Sequence, residues 1–399
     1  MLFRDMPILI LAGDMYQLPP VLAFPLYVER VEIEPEKGNK EYYDEVNFGL
    51  RLYHRFFDKA VVLNENKRQA GDVEWRKILQ RVRNGEATRD DQQRLMQYTL
   101  EESELLPNPD LEPEADPAYI WQRCPRYFPR KDDIMQENFQ ILCREFPNPE
   151  DRFDAGSINK IGRTLITPEN LATFGPKFYK HGPSLMLAVG AKVMVTENLD
   201  APRLWGIING TVGTVQGYLS TDRGHTITHV LFRPDFVLRN MPPFKFSIPD
   251  PSLPEGGLMN VCLPGTWPLP RGKTTVTVQH GADKSKTLTV TCEKFPLTLA
   301  YALTIHKAQG ITTPHAIVDI SNCHEGQMAY VGMSRVETLA GVRFRRLPTL
   351  SDLNKFSRCK NKPLLEKEFK RIGAMQGPLI ERLGLEEEDR RVQERIMDE

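Results

Sequence analysis

The chain lacks long apolar stretches, paired cysteines and any excess of one charge. No run of about 18 apolar residues occurs, so no conventional membrane-spanning helix is expected. Residues 1–5 run into a short apolar string without the charged, apolar and small-residue succession of a secretory signal. Six cysteines (Cys124, Cys143, Cys262, Cys292, Cys323 and Cys359) are scattered through 399 residues with no C-x-x-C pair. Free thiols in a reducing compartment are expected, not a disulfide frame or a metal site. The formal net charge is −1, so the basic excess that marks many small nucleic-acid-binding domains is missing. A strand-gripping inner channel needs only local positive charge, and a nucleic-acid partner stays open. What is present is 40% hydrophobic residues, enough for ordinary cores, and length for two or three domains.

Pro7-Ile8-Leu9-Ile10-Leu11-Ala12 reads as a buried parallel strand ended by Gly13-Asp14. A chain that opens on a central strand is expected to be part of a longer one. Ala60-Val61-Val62-Leu63 is a second apolar run, and Val73, Trp75, Ile78, Leu79 and Val82 mark one helical face, with Gly85 as its stop. Residues 101–117 read as a linker, Ala118-Tyr119-Ile120-Trp121 as the start of a strand, and residues 134–143 as a helix. Strands are expected over 185–195, 211–218, 225–240, 274–278 and 287–291, and no helix over the proline- and glycine-rich 241–272. Residues 316–320 read as a buried strand and 328–339 as a helix. The tail beyond 350, with its acidic 386–391, reads as a solvated helix or frayed end. Strands alternating with helices, interrupted by a β-rich stretch over about 216–294, argue for an α/β architecture with an inserted module.

Five strings carry chemistry. Gly13-Asp14-Met15-Tyr16-Gln17-Leu18-Pro19-Pro20-Val21 follows the first strand, at the edge where parallel sheets bind ligands. There Asp14 can hold a metal-bound water and Gln17 can reach a terminal phosphate; a plain proline turn is the bland alternative. Asn66-Lys67-Arg68-Gln69 precedes the helix that ends at Arg83-Asn84-Gly85. Gly190-Ala191-Lys192-Val193-Met194 is followed by Gly206-Ile207-Ile208-Asn209-Gly210, where Asn209 can either cap a turn or touch a nucleotide. Ala302-Leu303-Thr304-Ile305-His306-Lys307-Ala308-Gln309-Gly310 sets a hydroxyl, an imidazole and an ammonium at a helix start, a suitable grip for backbone phosphates. Gly326-Gln327-Met328-Ala329-Tyr330-Val331-Gly332-Met333-Ser334-Arg335 ends on an arginine that alone would read as solvated. Trp121, Trp205 and Tyr218 can stack on bases, but core packing is the expected role of each.

In register, these strings resemble the Pif branch of superfamily-one DNA helicases, with G-D-x-x-Q-L-P-P-V and T-I-H-K-[SA]-Q-G the most specific matches. The resemblance runs from Leu11 to about Arg343 and is weakest over 100–185 and 216–294. Trp75 takes that pattern's apolar position and Asp72 its acidic one, and Ala329 is an insertion relative to its shortest form. The resemblance implies two RecA-like lobes clamping ATP, with a small β-barrel inserted in the second. The first lobe's remainder would cover 1–112, the second lobe 113–215 and 295–347, the barrel 216–294, and a charged tail 348–399. It implies a phosphate- and ATP-facing set of Gly13, Asp14, Gln17, Arg68, Gly310 and Arg335, with Gln17 sensing the γ-phosphate and Arg335 as arginine finger. It implies nucleic-acid contacts at Asn209, Thr304, His306 and Lys307. ATP and Mg2+ would be the cofactors and single-stranded and duplex DNA the partners. The setting would be the nucleus or mitochondrion, with no membrane and a monomeric state.

No G-x-x-x-x-G-K-[ST] occurs; the nearest look-alike, Gly272-Lys273-Thr274, has Trp267 where the loop needs glycine. No acidic pair lies upstream of Gly13. The P-loop and acidic pair normally cradle the β- and γ-phosphates and magnesium. Residues 1–399 alone are therefore expected not to hydrolyse ATP at a useful rate. A non-catalytic binder of single-stranded nucleic acid, a transposon-borne helicase and a decayed remnant stay open beside a cellular helicase.

Overall fold

A computed structural model gives the fold, describing residues 10–20, 23–32, 40–63, 65–112, 115–162, 164–166, 185–199, 206–221, 226–236, 244–249, 258–279 and 287–383. The chain divides into two compact units, residues 1–130 with 304–399, and residues 131–303. No helix among the described residues is long and apolar enough to cross a membrane.

The discontinuous unit is built on three parallel strands in the order Arg126–Phe128, Ala316–Val318, Val342–Phe344. All of Ala316–Val318 is buried, as expected of an interior parallel strand covered on both faces. The Val73–Asn84 helix packs in this unit through Trp75, Ile78, Leu79 and Val82. Asp72 caps its start by accepting from the Trp75 amide at 2.8 Å, and Gly85 ends it at φ 73°. At that glycine a Cβ would also lie 2.5 Å from the Ser357 amide nitrogen, so conformation and space both require glycine.

Several expected elements differ. Residues 7–9 of the first expected strand lie outside the described residues. Residues 10–12 form no strand, and Ile10 is 80% exposed. The run 60–63 is likewise unpaired, with Val61 and Leu63 exposed. Neither run has a ladder partner among the described strands, and without one an apolar string gains nothing from a pleated backbone. Residues 118–121 belong to a helix, Pro117–Arg123, not a strand. Asp116 caps it through the Ala118 amide at 2.9 Å, and Pro117 sits at the first position, where its missing N–H costs nothing. The helix expected over 328–339 is only Met328–Met333. Beyond it the Arg335 carbonyl accepts from the Thr313 amide at 3.0 Å and Val336 bridges Thr313, so the backbone turns from helix to ladder.

The tail is less solvated than expected. Leu353, Phe356 and Leu365 are buried, and the Lys362–Leu383 helix holds Glu368 against Tyr53 Oη at 2.8 Å and Arg371 Nε at 2.7 Å. The acidic stretch 386–391 lies outside the described residues.

The second unit is β-rich, with the Lys131–Glu145 helix beside open antiparallel sheets. One sheet orders Trp267–Pro270, Thr226–Pro234, Val212–Thr221, Lys192–Val195 and Leu297–Leu299. Another orders Gly272–Gln279, Thr287–Lys294, Ile158–Ile161 and Thr164–Leu165. The strands of 216–294 thus share ladders with strands outside that stretch, and no closed barrel forms among the described residues. Leu142, Leu187, Val193, Val215 and Phe232 form the core between them. Asn138 ties the helix to the sheet end, donating to the Leu299 and Ala302 carbonyls at 3.2 and 3.1 Å and accepting from the Ala302 amide at 2.7 Å.

Candidate functional site

Most of the expected site residues converge within the discontinuous unit. Residues 13–17 form a tight turn, in which the Gln17 amide donates to the Asp14 carbonyl at 3.0 Å and the Tyr16 amide to Asp14 Oδ1 at 3.0 Å. Gln17 Oε1 accepts from Gln309 Nε2 at 3.1 Å. The first string therefore touches the Ile305–Ala308 helix end directly, where Gly310 takes φ 90°. Asp14 is committed elsewhere: Arg83 Nη2 lies 3.1 Å from its Oδ1. Arg83 in turn stacks over the Tyr16 ring at 4.2 Å.

Arg68 lies beside the last string. Its Nε donates to Thr312 Oγ1 at 2.9 Å and its Nη1 to the Ser334 carbonyl at 3.0 Å. Gln69 follows it, buried, and donates to the Val336 carbonyl at 2.8 Å. Arg335 is the least expected result. It is 1% exposed, not solvated. Its Nε donates to the Val331 carbonyl and its Nη2 to Ser334 Oγ, both at 2.7 Å. Its Nη1 is buried with no hydrogen-bond partner. Burial, reinforced by the like charge of Arg68, pulls the Arg335 guanidinium down to about 10. Arg335 is thus a buried cation with a spare donor, in the field of Arg68 and with no carboxylate bonded to it among the described residues. Burial also raises the Tyr330 phenol, with the Asp14 charge adding to it.

Thr304 caps the Ile305–Ala308 helix, accepting from the Lys307 amide at 3.2 Å. Its hydroxyl thus orders the turn that carries His306, which is partly buried, and Lys307, which is exposed. Asn209 belongs to the other unit. It stands with Gly210 in a turn closed by the Thr211 amide on the Ile208 carbonyl at 3.0 Å, with Gly210 at φ 95°. That is a type II turn, held by Asn198, whose Oδ1 accepts from the Asn209 amide at 2.8 Å. Of the aromatics expected in the core, Trp121 is buried, Tyr218 is 42% exposed against Phe153, and Trp205 lies outside the described residues.

Sequence reasoning quoted Arg83 only as part of the second string, with no role of its own, and did not reach Thr312. The Arg83 partners Asp14 and Tyr16 sit about 70 residues away and meet it only in the fold.

The discontinuous unit thus combines a parallel α/β core with a glutamine and two arginines drawn from separate strings. No protein-family model matches the chain. The ATP-dependent DNA helicase PIF7 of Trypanosoma brucei brucei is 28% identical over 171 residues, 40% of this chain and 15% of that protein. The human ATP-dependent DNA helicase PIF1 is 26% identical over 335 residues, 84% of this chain and 40% of the relative. The crystal structure of Pif1 helicase from Candida albicans superposes with a TM-score of 0.51 at 19% identity, covering 78% of this chain and 60% of that one. The chain is homologous to the Pif-family ATP-dependent DNA helicases and shares their α/β fold. It spans less than half the length of the curated relatives named here.

Proposed function

We propose that this chain carries the phosphate-sensing and strand-gripping part of an ATP-dependent DNA helicase of the Pif family. In this reading ATP hydrolysis drives 5′-to-3′ movement on single-stranded DNA and unwinding of duplex DNA, in replication, recombination, repair and telomere control. The observation that carries it is the convergence of Gln17, Arg68 and Arg335 in one unit, with the buried Arg335 Nη1 left as a spare donor.

The residues suit a polyphosphate. ATP supplies the transferable γ-phosphoryl group. Arg68 and Arg335 would neutralise charge on it, and Gln17, oriented by Gln309 and Asp14, would supply a hydrogen bond. Asp14 is paired with Arg83 and offers Mg2+ little; the ion's ligands would come from elsewhere. Thr304, His306 and Lys307 would hold strand phosphates, and the Asn209 turn would add a contact from the β-rich unit. The lobes would lie over 1–112, 113–215 and 295–347, with the β-rich stretch 216–294 as an insertion. A monomer acting in the nucleus or mitochondrion completes the reading.

The test is binding before turnover. Fluorescent ATP analogue should bind residues 1–399 weakly, and Arg335→Ala should abolish that binding while leaving steady-state hydrolysis undetectable in both. Labelled oligo-dT should bind in fluorescence anisotropy and weaken with Lys307→Ala. Strand binding unaffected by nucleotide would favour the non-catalytic binder. Turnover lost in Arg335→Ala would show that these residues alone make a working site.

A further inference from the structure

We propose that His306, His324 and Glu325 form a site for a zinc-class divalent cation. One ligand atom from each lies within 4.8 Å of the others. His306 Nε2 is 3.5 Å and His324 Nε2 3.9 Å from the same oxygen, Glu325 Oε1.

The spacing is what singles this cluster out. Bonds from zinc to imidazole nitrogen and carboxylate oxygen run about 2.0–2.2 Å, so adjacent tetrahedral ligands sit roughly 3.3 Å apart. Both imidazole nitrogens approach the carboxylate at close to that edge length, and neither lies within the usual range of a good direct hydrogen bond. The two rings stack with centroids 5.9 Å apart and planes 21° from parallel, so their edges address the same space. The other carboxylate oxygen, Glu325 Oε2, is buried without a hydrogen-bond partner.

The cluster is also held in place. His306 rides on a helix anchored by buried Ile305 and Ala308 and capped by Thr304. His324 and Glu325 stand between buried Cys323 and Gly326, and a Cβ at Gly326 would come within 2.9 Å of Phe356 Cα. Two imidazoles and one carboxylate on rigid supports suit zinc, and leave a fourth tetrahedral position open. The site takes the imidazole of the T-I-H-K string, so a bound cation would place a divalent charge beside exposed Lys307.

The experiment titrates zinc alone into the EDTA-stripped full chain by calorimetry, then repeats it with Co2+ and visible spectroscopy. The expected result is one saturable site. Its affinity falls at least about tenfold in His324→Ala and in Glu325→Gln, and is unchanged in His315→Ala, whose imidazole packs on Trp121. His324 is more than half exposed, and Glu325→Gln keeps shape, so circular dichroism melts should match wild type. Tetrahedral cobalt bands without thiolate charge transfer would support the nitrogen and oxygen ligand set. Absence of saturable binding, equal affinity in His324→Ala and Glu325→Gln, or a thiolate band would each overturn the proposal. None of these outcomes depends on ATP or DNA.

Discussion

Replacing Arg335 by methionine should leave the nucleotide-free chain at least as stable as wild type. The fall of this guanidinium from its ordinary value to about 10 corresponds to a charged form disfavoured by folding, on the order of 3 kcal/mol. Because the folded value lies below the unfolded one, that penalty is fully present below about pH 10 and is relieved as pH rises toward the ordinary guanidinium value. Against it stand the hydrogen bonds to the Val331 carbonyl and Ser334 Oγ, each contributing roughly 1 kcal/mol. Methionine fills much of the same space without a charge to bury, so a net gain of about 1 kcal/mol is expected. The assay is urea unfolding of both proteins at pH 7.5, with and without sodium pyrophosphate. Wild type should gain about 2.7 kcal/mol at pyrophosphate a hundredfold over its dissociation constant, and Arg335→Met much less. A variant that loses more than about 1 kcal/mol without anion, or gains as much from pyrophosphate as wild type, would refute the idea that this arginine is held for an anion.

Gly85→Ala should cost more than about 2 kcal/mol, because it adds left-handed strain to a clash with the Ser357 backbone; a urea midpoint within error of wild type would contradict the packing described. Asp91→Asn should cost roughly 1–3 kcal/mol, since Asp91 accepts from Arg81 Nε at 2.7 Å and from the Thr88 amide at 2.9 Å while buried. Burial alone would raise this carboxyl, but the bonds from Arg81 and Thr88 outweigh it and lower it. Its contribution should therefore be present above the ordinary carboxylate range and fade as pH falls through the lowered value, which acid titration of wild type against variant would read. Asp14→Asn should remove the Arg83 pair yet shift stability by only about 1 kcal/mol, as both side chains are partly exposed; thermal melts check it.

Much of the fold was legible wherever one residue type had a single physical use. The Val73–Asn84 helix announced its face and its stop, while its cap, Asp72, was noted only as the pattern's acidic position. The alternating runs of the β-rich unit became strands where expected. Short apolar runs were ambiguous. Residues 118–121 read as a strand until Asp116 and Pro117 are weighed as a helix start, a signal that was present in the sequence. Residues 10–12 and 60–63 looked like interior strands, but a run cannot specify its own partner. In the site, strings in register singled out Gln17, Arg68 and Arg335, and the structure places all three in the same unit. The burial of Arg335, the Arg83–Asp14 pair and the meeting of His306 with His324 and Glu325 depend on contacts between distant strings, which spacing along the chain does not encode.

The division of the chain also bears on how it is made. One unit begins at the first residue, stops at 130 and resumes at 304, with about 170 residues of the other unit in between. At roughly 5–20 residues per second, a ribosome would spend about 10–35 s on that interval. During it the Val73–Asn84 helix would lack the Met328–Met333 helix, the Val336 carbonyl that Trp75 meets and the Phe356 segment that shield its apolar face. The β-rich unit, contiguous in sequence, is complete before its neighbour can close. Synthesis thus imposes an order of assembly on this chain, and a period in which Trp75 and Ile78 need shelter from another source.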